Sequence, residues 1–203
     1  MKARLLLVVA ASFLLSAGTV HAQKRPAAKP AEKAAEKPAE APASSGLPRQ
    51  IGAHEGWIAV DAGTGPNRVC YLVGRPSKSE SKPANAKRGE ISLSVAHYPG
   101  ANRTNELTWV AGYPLRDDGP MVIEVGKVKV PMSNLSQPNS EKAWTRDEPG
   151  NRQAVDAMRQ AAAGATAIVK GTSGRGTQTT DTFTLNGFAK ALADIDKACG
   201  VKR

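Results

Sequence analysis

The chain has 203 residues, with 28 Lys and Arg against 18 Asp and Glu, which gives a formal net charge of +10. Only 4% of the residues are aromatic and no long run of basic residues occurs, so the composition argues against a nucleic-acid-binding protein. The two cysteines are too few for a disulfide-dense scaffold and too far apart for a four-ligand zinc site.

The N-terminus has the pattern of a secretory signal peptide over residues 1–22. Lys2 and Arg4 precede an uncharged, largely apolar stretch at 5–20, and the small residue Ala22 ends the segment. This stretch is shorter than the ~20 residues of a membrane-spanning helix, which disfavours an uncleaved anchor. We therefore predict cleavage after Ala22 and export to the periplasm, the outer-membrane periphery or the medium, with no membrane-spanning segment after cleavage.

Residues 23–50 are rich in Ala, Pro, Lys and Glu and contain a near four-residue repeat. The prolines interrupt helix and the segment has almost nothing to bury, so it is predicted to be a disordered, solvated spacer. It holds six basic and three acidic residues, which leaves a net charge of +5 for the predicted domain at 51–203. The spacer either holds the domain away from a surface as a tether, makes weak electrostatic contact with an anionic wall polymer or lipid headgroups, or has no partner.

Residues 51–203 consist mostly of short apolar runs separated by turn signals, which is typical of a mainly β domain. The clearest run, 91–97, alternates between apolar and polar residues. Gly126 lies between two runs and predicts a hairpin turn, whereas 74–88 is predicted to be a polar loop. The predicted strands lie at 57–61, 69–73, 91–97, 107–111, 121–125, 128–132, 167–171 and 180–185.

Two helices are predicted from apolar residues at helical spacing. The first spans 151–163 and stops at Gly164, and the second starts at Asn186 as its N-cap and stops at Gly200. The residues expected to face the core are Val155, Met158, Ala162, Phe188, Leu192, Ile195 and Cys199. These elements predict a two-layer antiparallel β sandwich with a short mid-chain helix and a C-terminal helix over one edge. An open sheet with helices on one face is the alternative.

Cys70 and Cys199 are predicted to form a disulfide, because export places them where thiols oxidise. The bond would join the last turn of the C-terminal helix to a central strand. Two buried free thiols and an intermolecular bond are the alternatives. A redox enzyme fits poorly, because such enzymes usually pair cysteines close in sequence, with one of them exposed.

The histidines and carboxylates form no recognisable catalytic or metal-binding pattern. His54 lies in a glycine-flanked segment and His97 closes a predicted strand, so a structural role is the favoured interpretation of both. No serine lies in the Gly-x-Ser-x-Gly pattern of a nucleophile elbow. The acidic pairs at 117–118 and 147–148 lie beside Gly or Pro, as turn formers and helix caps do. We therefore predict no catalytic residue, no cofactor and no metal.

One segment, 170–177, has the residue types of an anion-binding turn. Its glycines would free backbone N–H groups, its hydroxyls add donors, and two cations add positive charge. The order of these residues differs from that of a phosphate-binding P-loop, and a flexible hairpin turn is the alternative. The candidate anion-binding residues are Lys170, Thr172, Ser173, Arg175 and Thr177.

Four motifs follow one another along the chain: CYLVGRPSK at 70–78, AGYP at 111–114, KGTSGRGT with TTDT within 170–182, and DKAC at 196–199. Together they resemble the invasion-associated locus B family of alphaproteobacterial exported proteins, over nearly all of 55–199. The resemblance implies a bacterial envelope or secreted protein with a mainly β domain. For pathogen members it implies a role in entering host cells, notably erythrocytes. The family carries no assigned catalytic residues, so the resemblance transfers none.

These features predict a non-enzymatic interaction protein whose partner is an unknown component of the envelope or of a host surface. The alternative is a small-ligand binder or an enzyme that acts on an anionic envelope component through the 170–177 turn. A deep pocket that joins this turn to His97 or Arg75 would favour the alternative. A flat, solvent-filled turn would favour the interaction protein.

Overall fold

The structure is a computed structural model that describes residues 46–134, 137 and 139–203. The predicted signal peptide at 1–22 and residues 23–45 of the predicted spacer lie outside the described residues. The strands are β1 Arg49–His54, β2 Trp57–Ala62, β3 Val69–Gly74, β4 Lys78–Lys82, β5 Ser92–Tyr98, β6 Arg103–Val110, β7 Met121–Val125, β8 Val128–Ser133, β9 Lys142–Thr145, β10 Thr166–Thr172 and β11 Gln178–Thr184. The helices are α1 Glu148–Arg159 and α2 Phe188–Cys199.

Each of the eight predicted strands is present, within a few residues of its expected bounds. The sequence pattern does not predict the three further strands, β1, β4 and β9. Strand β1 begins at Arg49, so it includes the last two residues assigned to the spacer. The prediction of a polar loop over 74–88 is wrong where β4 forms. Four of the five β4 residues are exposed, so β4 lacks the apolar alternation that marks a half-buried strand.

The strands form one antiparallel sheet in the order β1-β2-β3-β5-β6-β9-β8-β7-β10-β11-β4. The indole N–H of Trp109 in β6 donates to Oδ2 of Asp181 in β11 at 3.1 Å, although four strands lie between β6 and β11 in the sheet. Neighbouring strands are about 4.8 Å apart, so a flat sheet would keep these side chains far from each other. The sheet therefore folds over itself. The prediction of a mainly β antiparallel fold with two helices is confirmed. The two layers of the predicted sandwich are two parts of one continuous sheet.

Helix α1 begins earlier than predicted because Asp147 caps it. The Asp147 carboxylate accepts a backbone N–H of the first turn at 2.7 Å, and Pro149 occupies that turn, where its missing donor costs nothing. The helix ends at Arg159, well before the predicted stop at Gly164. Ala162 is therefore exposed beyond the helix, and the prediction that it is buried is wrong. The other residues expected to face the core from α1 are buried: Val155 and Met158.

Helix α2 begins after Gly187 rather than at the predicted cap, Asn186. The Asn186 side chain accepts the backbone N–H of Gly164 at 2.9 Å instead. Gly187 occupies the N-cap position with a positive φ of 78°, and a Cβ there would clash with the carbonyl group of His54. The close approach of β1 therefore decides the cap. At the other end, Gly200 has a φ of 69° and terminates the helix as predicted.

One hydrophobic core joins the sheet to both helices. Helix α2 packs on β1, β2, β3 and β5, whereas α1 packs on β6, β7, β8 and β9. Trp57 contacts Phe188 edge-to-face, with ring centres 5.0 Å apart. The residues predicted to line the inner face of α2 are buried or half-buried: Phe188, Leu192, Ile195 and Cys199.

The predicted disulfide between Cys70 and Cys199 is confirmed. It joins the interior strand β3 to the last residue of α2, with the two Cα atoms 6.0 Å apart. The described residues contain no free cysteine. The bond therefore closes a covalent loop that runs from β3 to the end of α2 and includes most of the domain.

Candidate functional site

The β10–β11 turn, residues 173–177, forms one wall of a cavity of about 570 Å³. The other walls come from the segment between β4 and β5, the segment between β6 and β7, and the residue before β9. The polar residues of its lining include Lys87, Arg88, Tyr113, Glu141, Ser173, Arg175 and Thr177. This volume lies in the range of small-molecule sites.

Three of the five predicted anion-binding residues line this cavity: Ser173, Arg175 and Thr177. Lys170 and Thr172 lie outside the lining. The Lys170 ammonium group donates to Oε2 of Glu124 in β7 at 2.9 Å. The carbonyl of Thr172 accepts the backbone N–H of Arg116 at 2.9 Å. Of the two cations in the 170–177 segment, Arg175 lines the cavity and Lys170 does not.

Four of the five backbone N–H groups of the turn donate within the protein. Ser173 N–H donates to the Thr177 carbonyl at 2.9 Å, and Gly176 N–H donates to the Ser173 carbonyl at 2.8 Å. Gly174 N–H reaches the Pro114 carbonyl at 3.0 Å, and Thr177 N–H reaches the Ser173 hydroxyl at 3.1 Å. The expectation that the glycines free these donors for an anion is wrong. The turn faces the cavity mainly with side chains.

Arg88, which lines the cavity, forms a buried ion pair with Asp181 behind it. Arg88 donates to both carboxylate oxygens of Asp181 at 2.7 Å, and its side chain also donates twice to the Ala111 carbonyl. The side chains of Arg88 and Asp181 are 8% and 0% exposed. Trp109 donates to the same carboxylate, so Arg88 balances the charge of Asp181 and the indole satisfies a further acceptor site.

Tyr113 packs against this pair and stays protonated. Its hydroxyl lies 2.5 Å from the hydroxyl of Thr179, and the Arg88 guanidinium lies 5.0 Å from its ring centre. Burial raises the pKa of the Tyr113 phenol above its ordinary value. The base of the cavity is therefore neutral overall, with one compensated ion pair and one un-ionised phenol.

The rim of the cavity carries three exposed charges: Lys87, Glu141 and Arg175. Among the residues that the structure describes, no ion pair involves any of them. Because Arg88 and Asp181 neutralise each other, the uncompensated charges of the cavity are those of its rim: Lys87 and Arg175 are positive and Glu141 is negative. An anion that also offers hydrogen-bond donors matches this arrangement.

Sequence patterns do not reveal most of this site. Lys87 and Arg88 lie in the predicted loop 74–88, and Glu141 precedes the unpredicted strand β9. Two of the sequence motifs contribute cavity residues outside the turn: the motif at 111–114 contributes Gly112, Tyr113 and Pro114, and the motif at 179–182 contributes Thr179. These segments come together only through the folding of the sheet.

His97 lies away from the cavity and is 0% exposed. Its Nδ1 accepts the backbone N–H of Asn105 at 3.1 Å, so the ring proton lies on Nε2, which donates to Oδ1 of Asp196 at 2.9 Å. Arg203 also donates to Asp196, at 2.6 Å. Burial would raise the pKa of Asp196, but the hydrogen bonds from His97 and Arg203 outweigh it and lower the pKa below its ordinary value. His97 therefore joins β5 to α2.

The other predicted positions also make local contacts. Nε2 of His54 lies 2.7 Å from Oδ2 of Asp194, which connects the end of β1 to α2. Arg75 forms an exposed ion pair with Glu90. The cavity reaches neither His97 nor Arg75, and it extends from the turn to Arg88 instead.

A second, more polar cavity of about 780 Å³ lies beside β6, β9 and the start of α1. Its lining includes Tyr98, Trp144 and Arg146. Arg103 stacks over the Tyr98 ring at 4.8 Å from its centre and forms an ion pair with Glu106. None of the predicted anion-binding residues lines this cavity.

Residues 46–134, 137 and 139–203 provide neither a metal centre nor a membrane-spanning helix. Within these ranges, no group of three or more His, Cys, Asp or Glu side chains is placed to hold a metal ion. No helix in them is both long and apolar enough to cross a bilayer.

The chain matches the protein family described as Invasion associated locus B (IalB) protein over residues 57–196. Searches of curated proteins and of solved structures gave no match. The matched range begins with β2, ends within α2 and includes every segment that lines the first cavity. Because the match covers more than half of the sequence and agrees with the resemblance of its motifs, the chain belongs to the invasion associated locus B (IalB) family.

Proposed function

We propose that this chain is an exported, non-enzymatic interaction protein of the cell envelope or the medium, and that it assists association with host cells. The family match over 57–196 is the observation that carries this proposal. The signal-like pattern at 1–22 supports export. The disulfide between Cys70 and Cys199 also supports it, because such bonds persist in oxidising compartments.

The roles of the buried polar residues support binding rather than catalysis. His97 is bonded through both ring nitrogens, and Arg88 is held by Asp181 and a backbone carbonyl. Groups held in this way stabilise the fold. The exposed side chains around the first cavity are then the surface that is available for contact with a partner.

A strain that lacks the protein tests the proposal directly. We expect the strain to associate less with host cells or to tolerate envelope stress less well, and we expect the wild-type chain to restore both properties. Unchanged host association, envelope integrity and stress tolerance would refute the proposal.

The contribution of the spacer is separable from that of the domain. A variant with Lys29→Gln, Lys33→Gln and Lys37→Gln keeps the length of the spacer but removes three of its positive charges. Pull-down from envelope extracts with the wild-type chain, this variant and an Arg175→Ala variant compares the two parts. Loss of capture only with the spacer variant assigns binding to the spacer, whereas loss only with Arg175→Ala assigns binding to the domain.

A second candidate function is the binding of a small anionic envelope component, or catalysis on it, through the 170–177 turn. The observation that favours it is the cavity that Ser173, Arg175 and Thr177 line together with Arg88. Arg175→Ala should then weaken the capture of anionic envelope fragments, whereas Lys170→Ala should not, because Lys170 pairs with Glu124 outside the cavity. Equal capture by both variants and the wild type would refute this function.

A further inference from the structure

We propose that the cavity under the β10–β11 turn binds an acidic saccharide, a sugar that carries one carboxylate group. The proposal rests on the second candidate function above and names the chemical class of its ligand. Lys87 and Arg175 hold the carboxylate, while Glu141 and the hydroxyl of Thr177 accept hydrogen bonds from the sugar hydroxyls.

Positive charge from two distant parts of the chain meets at this cavity. Lys87 lies before β5 and Arg175 lies in the β10–β11 turn, and both side chains are exposed at the lining. Two like charges that line one cavity repel each other, and a bound anion relieves this repulsion. Arg88 adds no net charge, because Asp181 neutralises it. The attraction for an anion therefore depends on Lys87 and Arg175.

The turn favours a carboxylate over a phosphate. Turns that bind phosphate usually do so with several free backbone N–H groups. Here the N–H groups of Ser173, Gly174, Gly176 and Thr177 donate within the protein. The charged donors at the lining are the ammonium group of Lys87 and the guanidinium group of Arg175, whose planar fork can bind both oxygens of a carboxylate.

Glu141 limits the charge of the ligand and selects for hydroxyl groups. Its carboxylate lies on the same lining as the two cations, so a ligand with several negative charges is repelled on that side. A single carboxylate can stay near Lys87 and Arg175. Glu141 then accepts hydrogen bonds from donors elsewhere on the same ligand.

The rest of the lining suits the C–H face of a sugar ring. Ala86, Gly112 and Pro114 present apolar surface, and the largely buried Tyr113 ring adds to it. A volume of about 570 Å³ is enough for one or two sugar rings. A sugar acid combines the three properties that this lining requires: an apolar face, several hydroxyl donors and one carboxylate.

Titration by NMR, with sodium galacturonate as the probe, tests the proposal on the exported protein. We expect fast-exchange shifts of amides at 86–88, 112–113 and 173–177. Galactose, which has the same ring but no carboxylate, should bind at least about ten-fold more weakly, as the loss of a charge-assisted contact implies. Trigalacturonate in a parallel titration distinguishes a polymer from a free sugar acid as the source, because tighter binding of the trimer points to the polymer.

Three variants locate the contacts. Lys87→Ala and Arg175→Ala should each weaken galacturonate binding by about ten-fold, and Glu141→Gln should weaken it less. Arg146→Ala removes an exposed cation from the second cavity and should leave binding unchanged. Circular dichroism confirms that all four variants are folded.

Several outcomes would overturn the proposal. Equal binding of galactose and galacturonate excludes a carboxylate site, and tighter binding of inorganic phosphate or of glutamate excludes an acidic sugar as the class. Shifts outside the cavity, or none with any probe, exclude the site. Loss of envelope-fragment capture by Arg175→Ala without galacturonate binding refutes the saccharide class but leaves the second candidate function intact.

Discussion

Arg88 and Asp181 form a bidentate ion pair in the interior of the protein, with both hydrogen bonds 2.7 Å long. The two residues are 93 positions apart in sequence, so the pair joins the segment before β5 to β11. Burying two charges is unfavourable unless each has hydrogen-bond partners. Here Arg88 also donates to the Ala111 carbonyl, and Asp181 also accepts from the Trp109 indole. The pair therefore anchors one side of the candidate site.

Asp181→Asn should destabilise the domain by about 3–5 kcal/mol, because it leaves the Arg88 charge buried without its counter-charge. Urea denaturation monitored by circular dichroism measures the change. Arg152→Gln is the control, because it breaks the exposed pair with Glu148 and should cost at most about 1 kcal/mol. Equal effects of the two substitutions would show that the buried pair contributes no more than a surface pair.

Reduction of the bond between Cys70 and Cys199 should lower the free energy of unfolding by about 2–5 kcal/mol. The bond joins residues 129 positions apart, so it removes much of the freedom of the unfolded chain. A Cys70→Ser, Cys199→Ser variant should unfold at a lower urea concentration and no longer respond to reductant. Two thiols that react under denaturing, non-reducing conditions in the wild-type chain would contradict the bond.

Stability should fall in acid because of Asp196. Its pKa is lowered in the folded protein, where hydrogen bonds from His97 and Arg203 outweigh the effect of burial. The stability that ionised Asp196 contributes is therefore present above its unfolded pKa of about 4, and it is lost as the pH falls through the lower folded value. Urea midpoints between about pH 7 and pH 2 measure this slope.

Asp196→Asn should make that acid slope shallower, while lowering stability near neutral pH by about 1–3 kcal/mol through loss of charge-assisted hydrogen bonds. Asp118→Asn is the control. Arg116 also lowers the pKa of Asp118, but this pair is exposed and salt screens it. If the two variants show the same acid slope as the wild type, the Asp196 contacts do not determine the pH dependence.

Gly171→Ala should destabilise the domain by about 1–3 kcal/mol, because a Cβ at this position would lie 2.7 Å from the ring of buried Trp109. Gly174→Ala is the matched control in the neighbouring turn, where a Cβ would meet only the Pro114 carbonyl at an ordinary 3.9 Å. Thermal unfolding of both variants tests the difference. A Gly171→Ala variant as stable as the Gly174→Ala variant would mean that the Trp109 ring shifts at little cost.

Elements with a regular apolar pattern are predictable from the sequence, and elements without one are not. Strand β5 alternates apolar and polar residues, and Gly126 marks the β7–β8 hairpin with its positive φ of 57°. Strand β4 is exposed and polar, so only its pairing with β11 reveals it. The cap of α2 is Gly187 rather than Asn186 because β1 packs closely against that end of the helix. Local patterns carry no information about such neighbours.

The candidate site is also predictable from the sequence only in part. The residue types of the 173–177 turn identify a segment with anion-binding chemistry. They do not predict that Lys170 bonds to Glu124, nor that four of the five backbone N–H groups of the turn donate within the protein. Lys87 and Glu141 join the turn only because the sheet folds over itself and brings loops from different strands together.

The order of residues alone predicts a signal-like N-terminus, a mainly β domain and a disulfide between Cys70 and Cys199, and the structure contains that bond. Composition, periodicity and cysteine number are local or additive properties, so they can be taken from the order of residues. The fold is needed to show that Asp181 neutralises Arg88 and that Lys87, Glu141 and Arg175 are the charges at the rim of the cavity. Those facts depend on contacts between residues far apart in the chain, which only the folded sheet brings together.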